Sequence, residues 1–248
     1  MQLNSLKSLS IGLLWLFPAN SLLAQPGNFR DSRSKVTVSV EVSQKQAKPG
    51  GDIVLAVVLD HEDHWHTHTN DPVVPEELGD PEDYIATELV FELPEDSPLS
   101  IHEGFTQWPK PVLVEVGFVG TPVDYAVFEE IAVIYVPITI DADAPIGTTS
   151  FIIKPIFQSC DDTSCLRPTP QPDSGSPWDT YGITVAIEII EPSSSATVTT
   201  PTETFQSFER GVFQDIHAGV SAPAEEIRFD VFAIEFTINP DGLFGFLL

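Results

Sequence analysis

The chain has 248 residues, 42% of them apolar, which allows one large or two small domains with a hydrophobic core. Asp and Glu number 37 against 11 Lys and Arg, and the net charge of −26 argues against binding to nucleic acid or anionic membranes, because both need basic patches. No run of about 18 consecutive apolar residues occurs, so no segment of this sequence spans a bilayer by itself.

The N-terminal residues 1–24 are typical of a signal peptide. Lys7 supplies a positive charge, LSIGLLWLF supplies a short apolar stretch, and Pro18 ends that stretch. We predict cleavage after Ala24. Export of this kind delivers a protein to an oxidising compartment, where a disulfide persists.

Residues 25–34 are polar and are predicted to form a loose arm, and beyond them the sequence has the patterns of β-strands. VTVSVEV alternates apolar and polar residues as a half-buried strand does, and IVLAVVLD, after the turn signal KPGGD, indicates a more buried strand. Gly, Pro and Asp turns separate further runs: HWHTHT, ELVFEL, VLVEVGFV, IAVIYVPITI, TSFIIKPIFQSC and GITVAIEII. About seven to nine strands without a helical period predict an all-β domain at 35–192, an immunoglobulin-like antiparallel β-sandwich.

After this domain the composition changes. Residues 193–204 are rich in Ser, Thr and Pro and are predicted to be a linker. The small C-terminal segment 205–248 is predicted to hold a short helix in FQSFERGVFQDIHAG and one or two strands in IRFDVFAIEFTI. The final GLFGFLL is either a strand tucked into the core or the opening of a transmembrane helix that continues beyond Leu248, since a span needs about 20 residues.

Both cysteines of the chain lie in one stretch, FQSCDDTSCLRP (157–168). Cys160 and Cys165 flank four residues, a common hairpin length, so we expect them to be cross-strand neighbours that can form a disulfide. Closing so short a loop contributes only about 2–3 kcal/mol of chain entropy, which weakens the case for a structural staple. A disulfide at an exposed hairpin tip favours exchange with a partner thiolate. Three interpretations of the pair remain open, namely a redox pair, a structural staple and part of a metal site.

The charges around this pair predict two unequal thiols. Asp161 and Asp162 adjoin Cys160, and negative neighbours raise the pKa of a thiol. Arg167 follows Cys165 by two residues and would share its face on a strand, where a cation lowers the pKa of the thiol. We therefore expect Cys165 to be the thiol that meets a partner.

The stretch HEDHWHTH holds four of the six histidines. On a strand, His64, His66 and His68 would point to one face and Trp65 to the other, as a core residue. Imidazoles can bind zinc or copper(II), and the candidate ligands for such a site are His61, His64, His66 and His68. Successive side chains on one face of a strand lie about 7 Å apart, which works against their convergence on one ion.

Several of these motifs, in their order and spacing, resemble the N-terminal periplasmic domain of the DsbD family of thiol:disulfide interchange proteins, including its copper-tolerance-associated relatives. The matching features are KPGG after a strand, Trp-His at 65–66, Gln-Trp-Pro at 107–109, and FQSC....C.RP at 157–168. The chain departs from the family pattern at Ser159, where the family has Ala, and at Arg167, where it has Pro.

The resemblance implies an immunoglobulin-like protein-disulfide reductase module that uses Cys160 and Cys165 and no organic cofactor. Reducing equivalents would come from a membrane-embedded electron-donor domain, expected in the same native chain, and pass to periplasmic thioredoxin-fold proteins. The protein would then be periplasmic and anchored to the inner membrane through a continuation past Leu248. In this family the second cysteine, here Cys165, is the one joined to partners.

The resemblance also assigns roles around the disulfide. His66 and His68 fall where the family has aromatic residues that line the active-site pocket, so they would tune the thiols. The acidic, Pro-rich loop at 70–84 matches the family's cap loop and would shield the disulfide. Structural histidines and a bland loop remain the alternatives. Two rival functions also remain, namely a histidine-rich copper- or zinc-binding domain and a structural sandwich with a stapling disulfide.

Overall fold

The computed structural model describes residues 31–117, 120, 122–169, 181–194 and 203–222, together with the backbone of two strands at 227–231 and 234–238. The predicted signal peptide, most of the predicted linker and the apolar C-terminus lie outside the described residues. Within the described part of the chain, no helix is long and apolar enough to cross a membrane.

Strands dominate the described chain. In chain order they are β1 (Val36–Val42), β2 (Gln46–Ala47), β3 (Asp52–His61), β4 (His66–His68), β5 (Glu88–Glu92), β6 (Leu99–Ile101), β7 (Val112–Val116), β8 (Val123–Glu129), β9 (Ile131–Ile140), β10 (Gly147–Ile156), β11 (Ser159–Cys160), β12 (Ile183–Ile189), β13 (Ile227–Val231) and β14 (Ile234–Ile238). Helical structure comprises helix α1 (Val212–His217) and 3₁₀ turns at Ser32–Ser34, Glu76–Leu78, Pro81–Asp83, Glu103–Phe105 and Glu203–Phe205.

Three four-stranded sheets form the body of the protein. Their strand orders are β1-β3-β9-β6, β2-β12-β10-β5 and β11-β4-β8-β7. Within these three sheets every pairing is antiparallel except that of β2 with β12. The prediction of an all-β, immunoglobulin-like antiparallel sandwich is confirmed. The two predicted C-terminal strands form a separate antiparallel hairpin, β13–β14.

The main core lies between the first two sheets. Alternate residues of β3 and β9 meet residues of β10 and β12, and the largest side chains that they bury include Ile53, Leu55, Leu59, Ile134, Ile138, Phe151, Ile153, Ile187 and Ile189. Burying each such side chain contributes about 1.5–3 kcal/mol relative to its exposure. Phe128 of β8 belongs to the same core, which joins the third sheet to the first two.

The opposite face of β3 is also covered, which explains why IVLAVVLD lacks a polar face. Val54 and Ala56 pack against Phe205, Phe208 and Phe213 of the C-terminal segment. Residues 203–217 are thus part of the sandwich, although the sequence placed the end of the domain at 192.

Two further features differ from the sequence analysis. Ser32, in the arm that we expected to be loose, is completely buried. Trp65 is half-buried rather than a core residue, and the Lys35 Nζ lies 5.1 Å from its ring centroid. The described residues of the arm, 31–34, are held in place because Asp31 forms a parallel bridge with Arg167.

Candidate functional site

The two cysteines lie at the edge of the third sheet. β11 pairs with the histidine strand β4, so that Cys160 is opposite His66 and Ser159 is opposite Thr67. On its other side β4 pairs with β8. The two sequence motifs, the cysteine hairpin and the histidine strand, therefore become direct neighbours, although about 90 residues of chain separate them in sequence.

Cys160 and Cys165 form a disulfide across an antiparallel bridge, with their Cα atoms 4.0 Å apart. The predicted hairpin placement is confirmed. The two sulfurs differ sharply in access, because Cys160 is completely buried and Cys165 is exposed. An incoming thiolate can therefore reach only the sulfur of Cys165 without a rearrangement of the sheet.

Asp161 organises the hairpin tip. Its Oδ1 accepts hydrogen bonds from the backbone N–H groups of Thr163 (2.8 Å) and Ser164 (2.7 Å) and from both their hydroxyls. Burial would raise the pKa of this carboxyl, but these hydrogen bonds together lower it. The Asp162 carbonyl accepts from the Gly117 N–H at 3.1 Å, which ties the tip to the end of β7. The Asp161 side chain thus has a structural use that explains its presence beside Cys160, whereas Asp162 contributes through its backbone.

Ser32 links the two sides of the cysteine hairpin through hydrogen bonds. Its hydroxyl donates to the Arg167 carbonyl at 2.8 Å and accepts from the Ser159 N–H at 2.7 Å. The Ser159 hydroxyl donates in turn to the Ser32 carbonyl at 3.1 Å. Arg167 contributes through its backbone, and its side chain is exposed. Sequence reasoning missed Ser32, because a serine in a polar arm carries no signal of burial.

His68 is the imidazole that reaches the buried sulfur. Its Nε2 lies 3.5 Å from Cys160 Sγ and 3.2 Å from Gln158 Oε1, and its Nδ1 lies 3.2 Å from the Tyr125 hydroxyl. Edge-on contacts with the rings of Tyr84 and Tyr125, at centroid distances of 5.2 and 5.6 Å, enclose the imidazole. The side chain is completely buried.

The hydrogen bonds of Gln158 determine which nitrogen of His68 carries the proton. Gln158 Oε1 accepts from the Ile85 N–H, and its amide nitrogen donates to the Leu166 carbonyl, both at 3.3 Å. Since Oε1 only accepts, the facing Nε2 of His68 is protonated, and Nδ1 accepts from Tyr125. Burial, followed by the neighbouring His66, lowers the pKa of His68 to about 4, so the imidazole is neutral at neutral pH. A neutral N–H donor therefore faces Cys160.

The other three histidines of this stretch do not belong to the group of ligand atoms around the sulfurs. His66 is buried, which lowers its pKa to about 4, and its Nε2 has no hydrogen-bond partner among the described residues. His61 donates from Nδ1 to the Glu130 carbonyl at 2.9 Å and accepts from Thr67. His64 is exposed and precedes β4, with a φ of 68°.

The alternative metal site of His61, His64, His66 and His68 is not assembled among the described residues. In the described part of the chain, the one group whose potential ligand atoms lie within 4.8 Å of one another consists of His68, Cys160 and Cys165. The prediction that His64 shares a strand face with His66 and His68 is also wrong, because β4 begins only at His66. The histidine motif contributes to the cysteine site instead.

The loop at 70–84 supports His68 and does not cover the exposed sulfur. Leu78 is buried against Val116, Tyr125 and Val127, and the Tyr84 hydroxyl donates to the Leu78 carbonyl at 2.7 Å. The expectation that this loop shields the whole disulfide is wrong, since Cys165 remains exposed. The loop instead fixes the two tyrosines against the imidazole, and neither tyrosine was singled out from the sequence.

Comparisons with known proteins found solved structures with low sequence identity to this chain. No family model matches it, and no curated protein matches it. The N-terminal periplasmic domain of ScsB from Proteus mirabilis is 12% identical, with a TM-score of 0.37 over 79% of this chain and 58% of that one. The DsbD N-terminal domain from Neisseria meningitidis, in the reduced form, is 13% identical, with a TM-score of 0.31 over 64% and 87%.

The family named from the sequence motifs is among these structural neighbours. A type I cohesin from Pseudobacteroides cellulosolvens is also among them, at 6% identity and a TM-score of 0.32, over 64% of this chain and 96% of that chain. The chain spans 58% of the length of the Proteus mirabilis domain.

Proposed function

We propose that this chain is a thiol–disulfide exchange module, in which the Cys160–Cys165 pair alternates between disulfide and dithiol. The observation that carries the proposal is the asymmetry of the pair. One sulfur is exposed for attack, and the other is buried 3.5 Å from the protonated nitrogen of a neutral imidazole. A purely structural staple needs neither feature.

Reduction of the module follows from this geometry. A donor thiolate attacks the exposed Cys165 Sγ, the Cys160–Cys165 bond breaks, and Cys160 leaves as a thiolate. His68 Nε2–H donates a hydrogen bond to that thiolate, which stabilises it in a site where burial would otherwise disfavour charge. The donor's second thiolate then attacks the donor sulfur that is bonded to Cys165, and Cys165 is released as a thiolate. The donor dithiol has then been oxidised to a disulfide.

Transfer to a partner runs the same steps in reverse. The Cys165 thiolate attacks a partner disulfide and forms a mixed disulfide, and Cys160 resolves it by attacking Cys165 Sγ. The partner leaves as a dithiol once its second thiolate has taken a proton from solvent. No organic cofactor takes part in this scheme, because the dithiol itself carries the two electrons and transfers them when its own disulfide forms.

The biological setting belongs to the same proposal. The N-terminal targeting pattern supports export to the periplasm, and the motifs at 65–66, 107–109 and 157–168 support thioredoxin-fold partners and a membrane-embedded electron donor. The reaction class is that of a protein-disulfide reductase. Anchoring to the inner membrane through a continuation of the chain completes the proposal.

The test is the reduction potential of the pair, measured by equilibrating the protein with DTT or glutathione buffers and counting free thiols. We expect a potential above about −300 mV, in the range of exchange-active disulfides. A value well below this would identify a structural staple and overturn the proposal. Exchange with a thioredoxin-fold protein, followed by gel shift of alkylated thiols, then shows whether electrons pass between proteins.

A further inference from the structure

In the oxidised structure three potential metal-ligating side chains lie in one place, and reduction of the disulfide would free both of their sulfurs. His68 Nε2, Cys160 Sγ and Cys165 Sγ lie within 4.8 Å of one another, and in the described part of the chain no other group of this kind occurs. His68 and Cys160 are completely buried, so two of the three donors are already held in the sheet. In the disulfide the sulfur lone pairs serve poorly as ligands, but a dithiolate supplies two strong ones.

We propose that the reduced protein binds a thiophilic d¹⁰ cation, with Cu(I) as the best fit, through Cys160, Cys165 and His68, and that this binding withholds the pair from exchange. The binding stands on the geometry alone, while its effect on exchange rests on the proposed function. Thiolate donors select Cu(I) and zinc over the harder divalent cations. Three donors complete the coordination of Cu(I), whereas zinc needs a fourth ligand from water.

The surroundings of His68 allow it to act as a ligand. Coordination through Nε2 requires that the proton sit on Nδ1, which then donates to the Tyr125 hydroxyl, 3.2 Å away. A hydroxyl both donates and accepts, so this partner serves either tautomer and orients the ring in both. Such an outer hydrogen bond is the usual support of a metal-bound imidazole. Gln158 Oε1 keeps the Ile85 N–H as a partner when His68 turns to the metal.

The bond changes are simple. Each thiol releases one proton to solvent when it binds the cation, and no electron is transferred. Formation of the disulfide uses the same sulfur atoms, so the cation must leave before the pair can reduce a partner. Reduced protein with bound metal is therefore inactive in exchange until a chelator removes the metal.

The experiment uses the full chain, reduced under anaerobic conditions and freed of reductant, titrated with Cu(I) in competition with the chromophoric chelator bicinchoninate. We expect one Cu(I) per chain in the reduced protein and no comparable binding to the oxidised protein. His68→Phe should weaken binding at least about tenfold. Zn(II), titrated against a colorimetric indicator, should bind the reduced protein more weakly.

His66→Phe is the matched control, since His66 is a buried histidine on the same strand, two residues away, and lies outside the ligand group. It should bind Cu(I) as the wild type does. Cys165→Ser, at an exposed position, should abolish tight binding. Equal binding by oxidised protein, unchanged affinity in His68→Phe, equal loss in His66→Phe, or two chains per cation would each overturn the proposed site.

The effect on exchange is measured separately, by adding one equivalent of Cu(I) to the reduced protein and following transfer to a disulfide partner. Transfer should stop and should return on addition of excess chelator. Unimpeded transfer with Cu(I) bound would overturn the proposal that the metal inhibits thiol–disulfide exchange. Because exchange is first measured without metal, a protein that binds Cu(I) but never exchanges refutes only the proposed function, and the reverse result refutes only the metal site.

Discussion

His68 and Cys160 belong to adjacent strands, and the imidazole Nε2 lies 3.5 Å from the buried sulfur. The histidine is held on its other side by Tyr125, so its position does not depend on the disulfide. This arrangement suits the two cysteines to different roles in the proposed exchange. Cys165 is exposed and Cys160 is buried, so in the proposed exchange Cys165 would meet other proteins and Cys160 would carry the charge that the imidazole stabilises.

Cys165 is expected to form the mixed disulfide with a partner, because it is the exposed sulfur. The two variants Cys160→Ser and Cys165→Ser are each mixed with a thioredoxin-fold protein that lacks its resolving cysteine, and covalent adducts are counted on a non-reducing gel. Cys160→Ser should accumulate adduct and Cys165→Ser should not. Equal trapping by both variants would contradict the difference in access between the two sulfurs. No adduct from either variant would indicate that the disulfide is structural.

Replacing His68 with Phe is expected to make the disulfide harder to reduce. The imidazole N–H stabilises the Cys160 thiolate, and a hydrogen bond to a charged group contributes about 1.5–3 kcal/mol. For a two-electron couple this corresponds to a potential about 30–60 mV more negative, measured by equilibration with DTT. His64→Phe, at an exposed position before β4, serves as the control and should leave the potential unchanged. If the reduction potential of His68→Phe equals that of the wild type, His68 does not stabilise the Cys160 thiolate.

Ser32→Ala is expected to destabilise the cysteine hairpin. The change removes a buried hydroxyl that bridges the Ser159 N–H and the Arg167 carbonyl, and leaving such groups unsatisfied costs about 1–3 kcal/mol. Urea unfolding of the oxidised protein measures the loss. Ser34→Ala is the matched control, because the Ser34 hydroxyl is exposed. Similar stability in the two variants would show that the bridge contributes little.

Phe208→Ala is expected to lower the free energy of unfolding by about 3–5 kcal/mol, the usual cost of removing a buried aromatic side chain. Phe208 is 6% exposed and packs against Tyr135, with ring centroids 5.7 Å apart. Val220→Ala, at a position that is 52% exposed, is the comparison and should have little effect. If Phe208→Ala proves equally mild, residues 203–217 are not an integral part of the sandwich.

Acid is expected to destabilise the oxidised protein through its buried histidines. Burial lowers the pKa of His66 and His68 to about 4 and also lowers that of His61, whereas an unfolded histidine titrates near about 6.5. The unfolded state therefore binds more protons, and this contribution to stability is complete above about pH 6.5 and is lost as the pH falls towards 4.

The measurement is the urea midpoint at a series of pH values for wild type and His66→Phe. Protonation of the many carboxylates affects both proteins alike, so the difference between them isolates one imidazole. The wild type should lose more stability than the variant between about pH 6.5 and 4. Parallel curves would show that His66 is not buried in the neutral form.

Local patterns were enough to predict several features of this protein. Alternation predicted the strands, and a four-residue spacing predicted that Cys160 and Cys165 would be cross-strand neighbours. These features follow from the sequence because the period of a strand and the length of a hairpin are properties of neighbouring residues. The same reasoning identified the histidine stretch as important without identifying which imidazole mattered.

The tertiary structure decided what the site can do. The contact of His68 with Cys160 joins residues 92 positions apart, and that of Ser32 with Ser159 joins residues 127 apart, so no local pattern encodes either one. Strand pairing places His66 opposite Cys160, but the packing of the side chains brings the imidazole of His68 to the sulfur. The packing of the sheets buried Cys160 and left Cys165 exposed, and this difference in burial separates the roles of two otherwise identical side chains.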